Sequence, residues 1–256
     1  MVRQRLELSA LPGLPKVEPG DDLAALILAG LERLGETLRD GDVLVLAQKI
    51  VSKAENRYAY LNDIEPGAQA LELAQAADKD PRLAELILRE SAAVLRTRKG
   101  AIIVEHRNGY VHANAGIDQS NIESDPDNPR VLLLPENPDA SAAQLRARLR
   151  ELSGADVAII INDSAGRAWR NGVIGFALGC AGFVVLENRI GTCDLFGRPL
   201  EITEIAVADE LAAAASFLMG QAAEGAPVVL IRGATLTPAG TGSGALIRAR
   251  EQDLFR

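Results

Sequence analysis

Hydrophobic and polar positions change period several times along this chain. Leu6-Glu7-Leu8-Ser9-Ala10-Leu11 alternates with the two-residue period of a strand, and Pro12-Gly13 turns it. Asp21-Asp22 precede Leu23, Leu26, Ile27, Leu31 and Leu34, an apolar stripe at helical spacing with acids at the end the helix dipole favours. Val43-Leu44-Val45-Leu46-Ala47, introduced by Gly41-Asp42, is a short continuous apolar run of the kind buried inside a sheet. Helices are predicted from Pro66, with Ala70, Leu71, Leu73 and Ala74, and from Pro81, with Leu83, Ile87 and Leu88, because proline is tolerated in a first turn. Ala101-Ile102-Ile103-Val104 and Tyr110-Val111-His112-Ala113 flank Asn108-Gly109, a hairpin signal.

From Asn114 to Pro138 the chain is rich in Asn, Asp, Ser and Pro around one apolar island, Val131 to Leu134, and reads as a long loop. Asp139 and Ser141 open a helix through Leu145, Leu149 and Leu152 that Gly154 ends. Asp156 to Ile161 reads as a central strand, Ala206 to Met219 as a helix and Pro227 to Ile231 as a further strand. Gly240-Thr241-Gly242-Ser243-Gly244 is a short flexible segment. Strands and helices alternate only in part, with a hairpin among them. That pattern predicts an α+β fold of mixed sheets with helices in two lobes. No linker marks a boundary, so residues 1–256 are read as one unit.

Composition narrows the classes. Of 256 residues 48% are hydrophobic, too many for a disordered chain. The formal charge of −8 argues against nucleic acid as the main partner. The N-terminus lacks the apolar run of a signal peptide, and no stretch of about 20 apolar residues suggests a membrane span. Cys180 and Cys193 form no CxxC pair and are expected to be ordinary buried thiols of a cytoplasmic protein.

The chain holds no GxxxxGK[ST], HExxH or GxSxG. With only His106 and His112, a metal would be held mainly by oxygens, which favours Mg²⁺ or Mn²⁺. Asn162-Asp163-Ser164-Ala165-Gly166-Arg167 follows the central strand, where Asp163 can offer a fixed carboxylate, Ser164 a hydroxyl and Arg167 a charge for phosphate. A plain Asp-Ser turn fits the same residues. Asn114-Ala115-Gly116-Ile117-Asp118-Gln119-Ser120-Asn121 is a second candidate, or an Asx-rich surface turn; if Asp118 met Asp163, the pair could share cations and phosphate oxygens. Lys53, in Gln48-Lys49-Ile50-Val51-Ser52-Lys53-Ala54-Glu55 behind a buried strand, could reach a phosphate or simply face water. His112 reads as a hydrogen-bonded structural histidine or a base. Trp169 between Arg167 and Arg170 suits an anionic aromatic ligand as well as plain packing.

Taken together, Gly13-Leu14-Pro15, Gly20-Asp21-Asp22-Leu23, Gly41-Asp42-Val43-Leu44-Val45, Ile50-Val51-Ser52-Lys53-Ala54-Glu55, Asn114-Ala115-Gly116-Ile117-Asp118, Asp163-Ser164, Gly166-Arg167, Asp194-Leu195-Phe196-Gly197-Arg198 and Val207-Ala208-Asp209-Glu210 resemble the coenzyme F-420-0:L-glutamate ligase (gamma-glutamyl ligase) family, in that family's order. The resemblance implies a GTP-dependent ligase that adds L-glutamate to the lactyl carboxylate of a deazaflavin precursor, releasing GDP and phosphate. It implies the gamma-glutamyl ligase fold, an intertwined homodimer, two Mg²⁺ or Mn²⁺ ions per site and K⁺ as a further ion. By position, Asp118, Asp163 and Ser164 would be metal ligands, with Lys53, Asp118 and Asp163 carrying the chemistry. Leu14, Pro15, Lys16, Val17, Gln48, Lys49, Lys53 and Asn121 would line the guanine nucleotide. Gly220 and Gln221 resemble a segment closing near nucleotide and metal. The family usually has threonine where Ser164 stands, which keeps the hydroxyl; serine is common at the position of Gln48. An acidic residue can stand at Gln221, to which no metal role is given. The C-terminal flavin-reductase-like domain of some relatives is not expected.

Overall fold

A computed structural model of the protein describes residues 5–240 and 242–254; Thr241, in the glycine-rich segment, lies outside the described residues. In chain order the elements begin with β1 (Glu7–Ala10), α1 (Leu23–Arg33), β2 (Val43–Ala47), α2 (Gln48–Ala54), β3 (Tyr58–Tyr60), α3 (Ala68–Ala77) and α4 (Pro81–Arg89). The middle of the chain forms β4 (Ser91–Arg98), β5 (Ala101–His106), β6 (Val111–Ala113), β7 (Arg130–Leu132) and α5 (Pro138–Ser153). Then follow β8 (Ala158–Arg167), β9 (Arg170–Phe183), β10 (Glu187–Asn188), β11 (Glu204–Ile205), α6 (Val207–Met219), β12 (Val228–Arg232) and β13 (Pro238–Ala239). The architecture is α+β, with one large mixed sheet, a smaller antiparallel sheet and two strand pairs.

The large sheet runs β1-β12-β2-β8-β9-β13, and only β2 and β8 are parallel in it. The uninterrupted apolar run of β2 follows from its place inside this sheet, covered on both faces. Leu44 and Leu46, with Ile159, Ile161 and Leu230, face a core that holds Ile27 and Leu31 of α1 and Leu145 and Leu149 of α5. Val43, Val45 and Ile160, with Val229 and Ile231, face Ala208, Leu211, Ala212 and Ala215 of α6. The small side chains of α6 let it lie close to the strands. Each β2 residue from Val43 to Leu46 is fully buried, and burying such a side chain stabilises by about 1.5–3 kcal/mol.

The helix starts obey their caps. The Asp22 carboxylate accepts from the Ala24 and Ala25 N–H groups, and Asp80 from Arg82 N–H ahead of Pro81. Asn137 caps α5, and Gly154 ends it at φ +76°, a left-handed conformation that costs glycine little. The expected hairpin is present, with Ile103 opposite Ala113 and Glu105 opposite Val111. Its sheet packs with α3 and α4 around Ile87, Ile102, Val104, Val131 and Leu133.

Four readings change. Asn162–Arg167 is not a loop: β8 continues through it and returns in β9, pairing Asp163 with Phe176 and Ser164 with Gly175. The apolar signal stops at Ile161 because the next buried position holds the polar Asn162 and the strand leaves its cover from Asp163 onward. Val131 sits in β7, paired with Ala59 of β3, so the long loop carries a strand. Ser91–Arg98 is a strand with no sequence signal, its alternation spoiled by two register shifts against β5. Cys180 is buried in β9 but Cys193 is exposed. Among the described residues no helix is long and apolar enough to cross a membrane.

Candidate active site

The carboxyl ends of the two parallel strands open on a cleft of ≈ 420 Å³, the usual place for a ligand where strand ends leave a crevice. Strand β2 passes directly into α2, whose Lys49 and Lys53 stand one helical turn apart and so share a face. Both reach the loop that follows β6. Lys49 Nζ lies 2.7 Å from Asp118 Oδ2 and donates to Ser120 Oγ at 2.8 Å. Lys53 Nζ donates to the Asn121 carbonyl at 2.8 Å. Gln48 is buried, its Oε1 accepting from Ser52 Oγ at 2.8 Å while its Nε2 has no partner.

The loop is pinned as a receiver for these lysines. Asp118 exchanges both backbone hydrogen bonds with Leu132 at 2.9 Å. Its Oδ1 accepts from Ser120 N–H at 2.7 Å and Ser120 Oγ at 2.8 Å. Burial alone would raise the Asp118 pKa, but Lys49 and the two Ser120 donors outweigh it and hold the carboxylate below its ordinary value. Burial, then the Lys49 charge, lowers the pKa of Lys53. Asn121 adopts φ +55°, which asparagine tolerates, and its Nδ2 donates to the Ala222 carbonyl at 3.0 Å.

Asp163 enters from β8. Its Oδ2 is 3.0 Å from His112 Nε2, and His112 Nδ1 is 3.0 Å from the Ala113 carbonyl. Both ring nitrogens thus face acceptors, a place for an imidazolium. Burial opposes that charge, but Asp163 outweighs it, and the His112 pKa is raised. Gly175, opposite Ser164, makes room beneath: a Cβ there would meet the Ala212 carbonyl and Asn162 Oδ1, each at 2.6 Å. Asn162 is buried with that oxygen unpartnered. The segment after α6 completes the walls, with Gln221 Nε2 donating to Ser216 Oγ at 3.0 Å.

The residues that the resemblance assigns to nucleotide, metal and catalysis line this one cleft: Leu14, Pro15, Lys16 and Val17; Gln48, Lys49 and Lys53; Asp118 and Asn121; Asp163 and Ser164. Arg167, read above as a charge for phosphate, lines a different cavity, and His112 reaches the cleft only through Asp163. Lys16 is exposed and pairs with Glu123, and Val17 is buried in the core. Trp169 and Arg170 are not in the lining; both are exposed at the β8–β9 turn. Ser120, Asn162 and Ser216 were not singled out. Only Ser120 had a signal, standing two residues beyond an aspartate, where an Asx turn places it.

Two carboxylates and a serine hydroxyl in the lining offer hard oxygens of the kind that suit Mg²⁺ or Mn²⁺. Among the described residues no group of three or more His, Cys, Asp and Glu side chains gathers to hold an ion. An ion here would be completed by water and ligand oxygens, as Mg²⁺ commonly is.

A pinned carboxylate, a second one paired to a histidine and two lysines in a cleft at parallel strand ends make this an enzyme of the α+β class. The profile of the F420-0:gamma-glutamyl ligase family matches residues 13–233. A coenzyme F420:L-glutamate ligase of Methanothermobacter thermautotrophicus is 46% identical over 253 residues, covering 98% of this chain and 99% of its own length. That of Methanopyrus kandleri is 46% identical over 257 residues, with 98% of each chain covered. One from Methanococcus maripaludis strain S2 is 40% identical across the whole of both chains. The protein belongs to the F420-0:gamma-glutamyl ligase family.

Proposed function

We propose that the protein joins L-glutamate to the carboxylate of coenzyme F420-0, with GTP as phosphate donor and GDP and phosphate as products. The observation that carries this reading is the convergence of Asp118, Asp163 and Ser164 with Lys49 and Lys53 in one cleft, in a chain of this family.

An acceptor carboxylate is ionised at neutral pH and needs no base to attack the γ-phosphorus. Its oxygen bonds to phosphorus as the bond to the β,γ-bridging oxygen breaks, and GDP leaves. The glutamate nitrogen then bonds to the acyl carbon, the acyl C–O bond breaks with phosphate keeping the oxygen and the electron pair, and the amine proton passes to water. The obstacle in the first step is repulsion between anions. Lys53 and Lys49 supply fixed positive charge along the triphosphate. The unpartnered Gln48 Nε2 offers a donor to it, and the Leu14–Val17 segment with Asn121 lines the nucleotide. Asp118, Asp163 and Ser164 would hold two Mg²⁺ or Mn²⁺ ions, which when bound screen the meeting anions. His112, bonded at both nitrogens, orients Asp163.

The protein is also proposed to act as a homodimer. The arm between β10 and β11 supports this by exposing Ile190, Leu195, Phe196 and Ile202, more apolar surface than a monomer's arm needs. Size-exclusion chromatography with light scattering reads the state directly.

Purified protein with GTP, L-glutamate, F420-0 and Mn²⁺ should give a product heavier by one glutamyl residue together with GDP, by mass spectrometry. GDP formed at the same rate without glutamate, or amide formed only with other carboxylic acids, would overturn the assignment.

A further inference from the structure

A second cavity, of ≈ 300 Å³, opens on the outer half of the β8–β9 hairpin. Tyr110, Arg167, Ile174, Phe176, Asp209 and Arg248 are in its lining. One wall parts it from the cleft. Phe176 is the registered partner of Asp163 across the hairpin, and its ring lies 5.7 Å from that of His112. Tyr110 meets the same phenylalanine edge-on at 6.1 Å. The second cavity therefore begins one side chain beyond a carboxylate of the first.

Its surfaces are of two kinds. Tyr110, Phe176 and Ile174 give aromatic and aliphatic walls, with which a flat ring system packs well. Arg167 and Arg248 give two positive charges against the one carboxylate of Asp209: neither arginine forms an ion pair with a described residue, and Arg167 donates to the Gly172 carbonyl at 3.3 Å. Asp209 spends one oxygen on the Ala177 N–H at 2.9 Å. Free glutamate would satisfy the arginines but gain little from apolar walls. A planar ring with an anionic tail uses both.

We infer that this cavity receives the acceptor substrate, a ring-bearing anion, with its carboxylate directed past Phe176 and His112 toward Asp163. The inference rests on the ligase reading above, in which phosphate donor and acceptor must meet without sharing one pocket. For a deazaflavin, the ring lies against Phe176 and Ile174, and the arginines hold the anionic tail.

Binding of F420-0 and of GTP, each titrated separately, tests it on the wild type and on two variants. Arg248→Glu reverses an exposed charge and leaves the fold alone; Ile174→Trp fills the cavity from a half-exposed strand position. Both should weaken F420-0 binding by at least about tenfold, the scale of one charge-assisted contact, and raise its KM, while GTP binding stays unchanged. Undiminished F420-0 affinity in Arg248→Glu and Ile174→Trp, with a wild type that binds and converts it, overturns the assignment of the cavity. So does a rise confined to the KM for L-glutamate. A wild type that neither binds nor converts F420-0 overturns the ligase reading itself.

Discussion

Replacing His106 with phenylalanine isolates what one buried imidazole contributes to acid sensitivity. His106 ends β5 with 2% of its surface exposed, its ring stacked on Tyr110 at 4.8 Å. Its Nδ1 accepts from the Asn108 N–H at 3.1 Å, and its Nε2 is buried without a hydrogen-bond partner. The neutral ring suits that site. Glu90 Oε2 lies 3.9 Å away, but Arg57 at 3.1 Å and Arg107 at 2.9 Å already hold that carboxylate. Burial first, then the charges of Arg107, His112 and Arg57, lowers the His106 pKa from 6.5 to about 4.

The unfolded chain takes up a proton near pH 6.5 that the folded ring refuses until about pH 4. The stability tied to the neutral ring is therefore complete above the unfolded pKa and is lost as pH falls from there toward 4. At 1.36 kcal/mol per pK unit, the drop from pH 8 to pH 5 removes about 2 kcal/mol. For a chain of this size that is a fall of about 4–8 °C in Tm. His106→Phe loses the Nδ1 acceptor, about 1 kcal/mol at either pH, but has no proton to refuse. Carboxylates contribute equally to both proteins and cancel in the difference. Calorimetric scans at pH 8 and pH 5 should show the acid-induced fall in Tm smaller in the variant by several degrees. An equal fall in both proteins would refute the reasoning.

Asp163→Asn removes charge and almost no volume; ligation should fall by at least about 10³-fold with the melting profile little changed, and full turnover with Mg²⁺ would reject the role given to Asp163. Lys53→Met keeps the apolar stem and loses the ammonium: kcat/KM for GTP should drop by about 10²-fold, whereas Lys99→Met, at an exposed ion pair outside the cleft, should change it little; steady-state kinetics on both variants decides. Arg232→Met strands the buried Asp42 carboxylate, now gripped through both oxygens at 2.9 and 2.8 Å; chemical denaturation should show a loss of about 3–5 kcal/mol, and a loss under about 1 kcal/mol would contradict it.

Where one element carries its whole signal, the sequence was legible. The run Val43 to Ala47 needed both faces covered, and the stripe from Leu23 to Leu31 needed one. Asn108-Gly109 specified its hairpin because only a few residues tolerate that turn, and Gly109 adopts φ +95°. The strand Ser91–Arg98 was not legible, since two register shifts break its period. The β8–β9 hairpin was missed for a different reason. Its outer half, from Asp163 to Ile174, leaves the core, so β-structure there is maintained by cross-strand pairing and not by a buried face. The membership of the cleft followed from motif order, but its contacts did not. Lys49 meets Asp118, Lys53 meets Asn121 and His112 meets Asp163 across long sequence separations, and no local period encodes such meetings.

Strand register is what turns those separate motifs into a site. Ala47 pairs with Asn162 in the parallel ladder, so α2 and Asp163 emerge at the same edge of the sheet. Alternation along β8 puts Ile159, Ile161 and Asp163 on the face that packs with Ile50 and Val51 of α2, and Ile160 and Asn162 on the face of α6. A slip of one residue would turn Asp163 away from His112 and bury it under α6, where the small side chains leave no room for a solvated carboxylate. The partner strand absorbs the remaining mismatch: pairing jumps from Ile161–Gly179 to Asn162–Ala177, leaving Leu178 unpaired. That extra residue turns inward to Tyr110, Leu134 and Phe176, two of which also line the second cavity. The bulge that brings Phe176 opposite Asp163 therefore also builds the partition behind it. The partition and the second cavity behind it thus share one irregularity in the β8–β9 ladder.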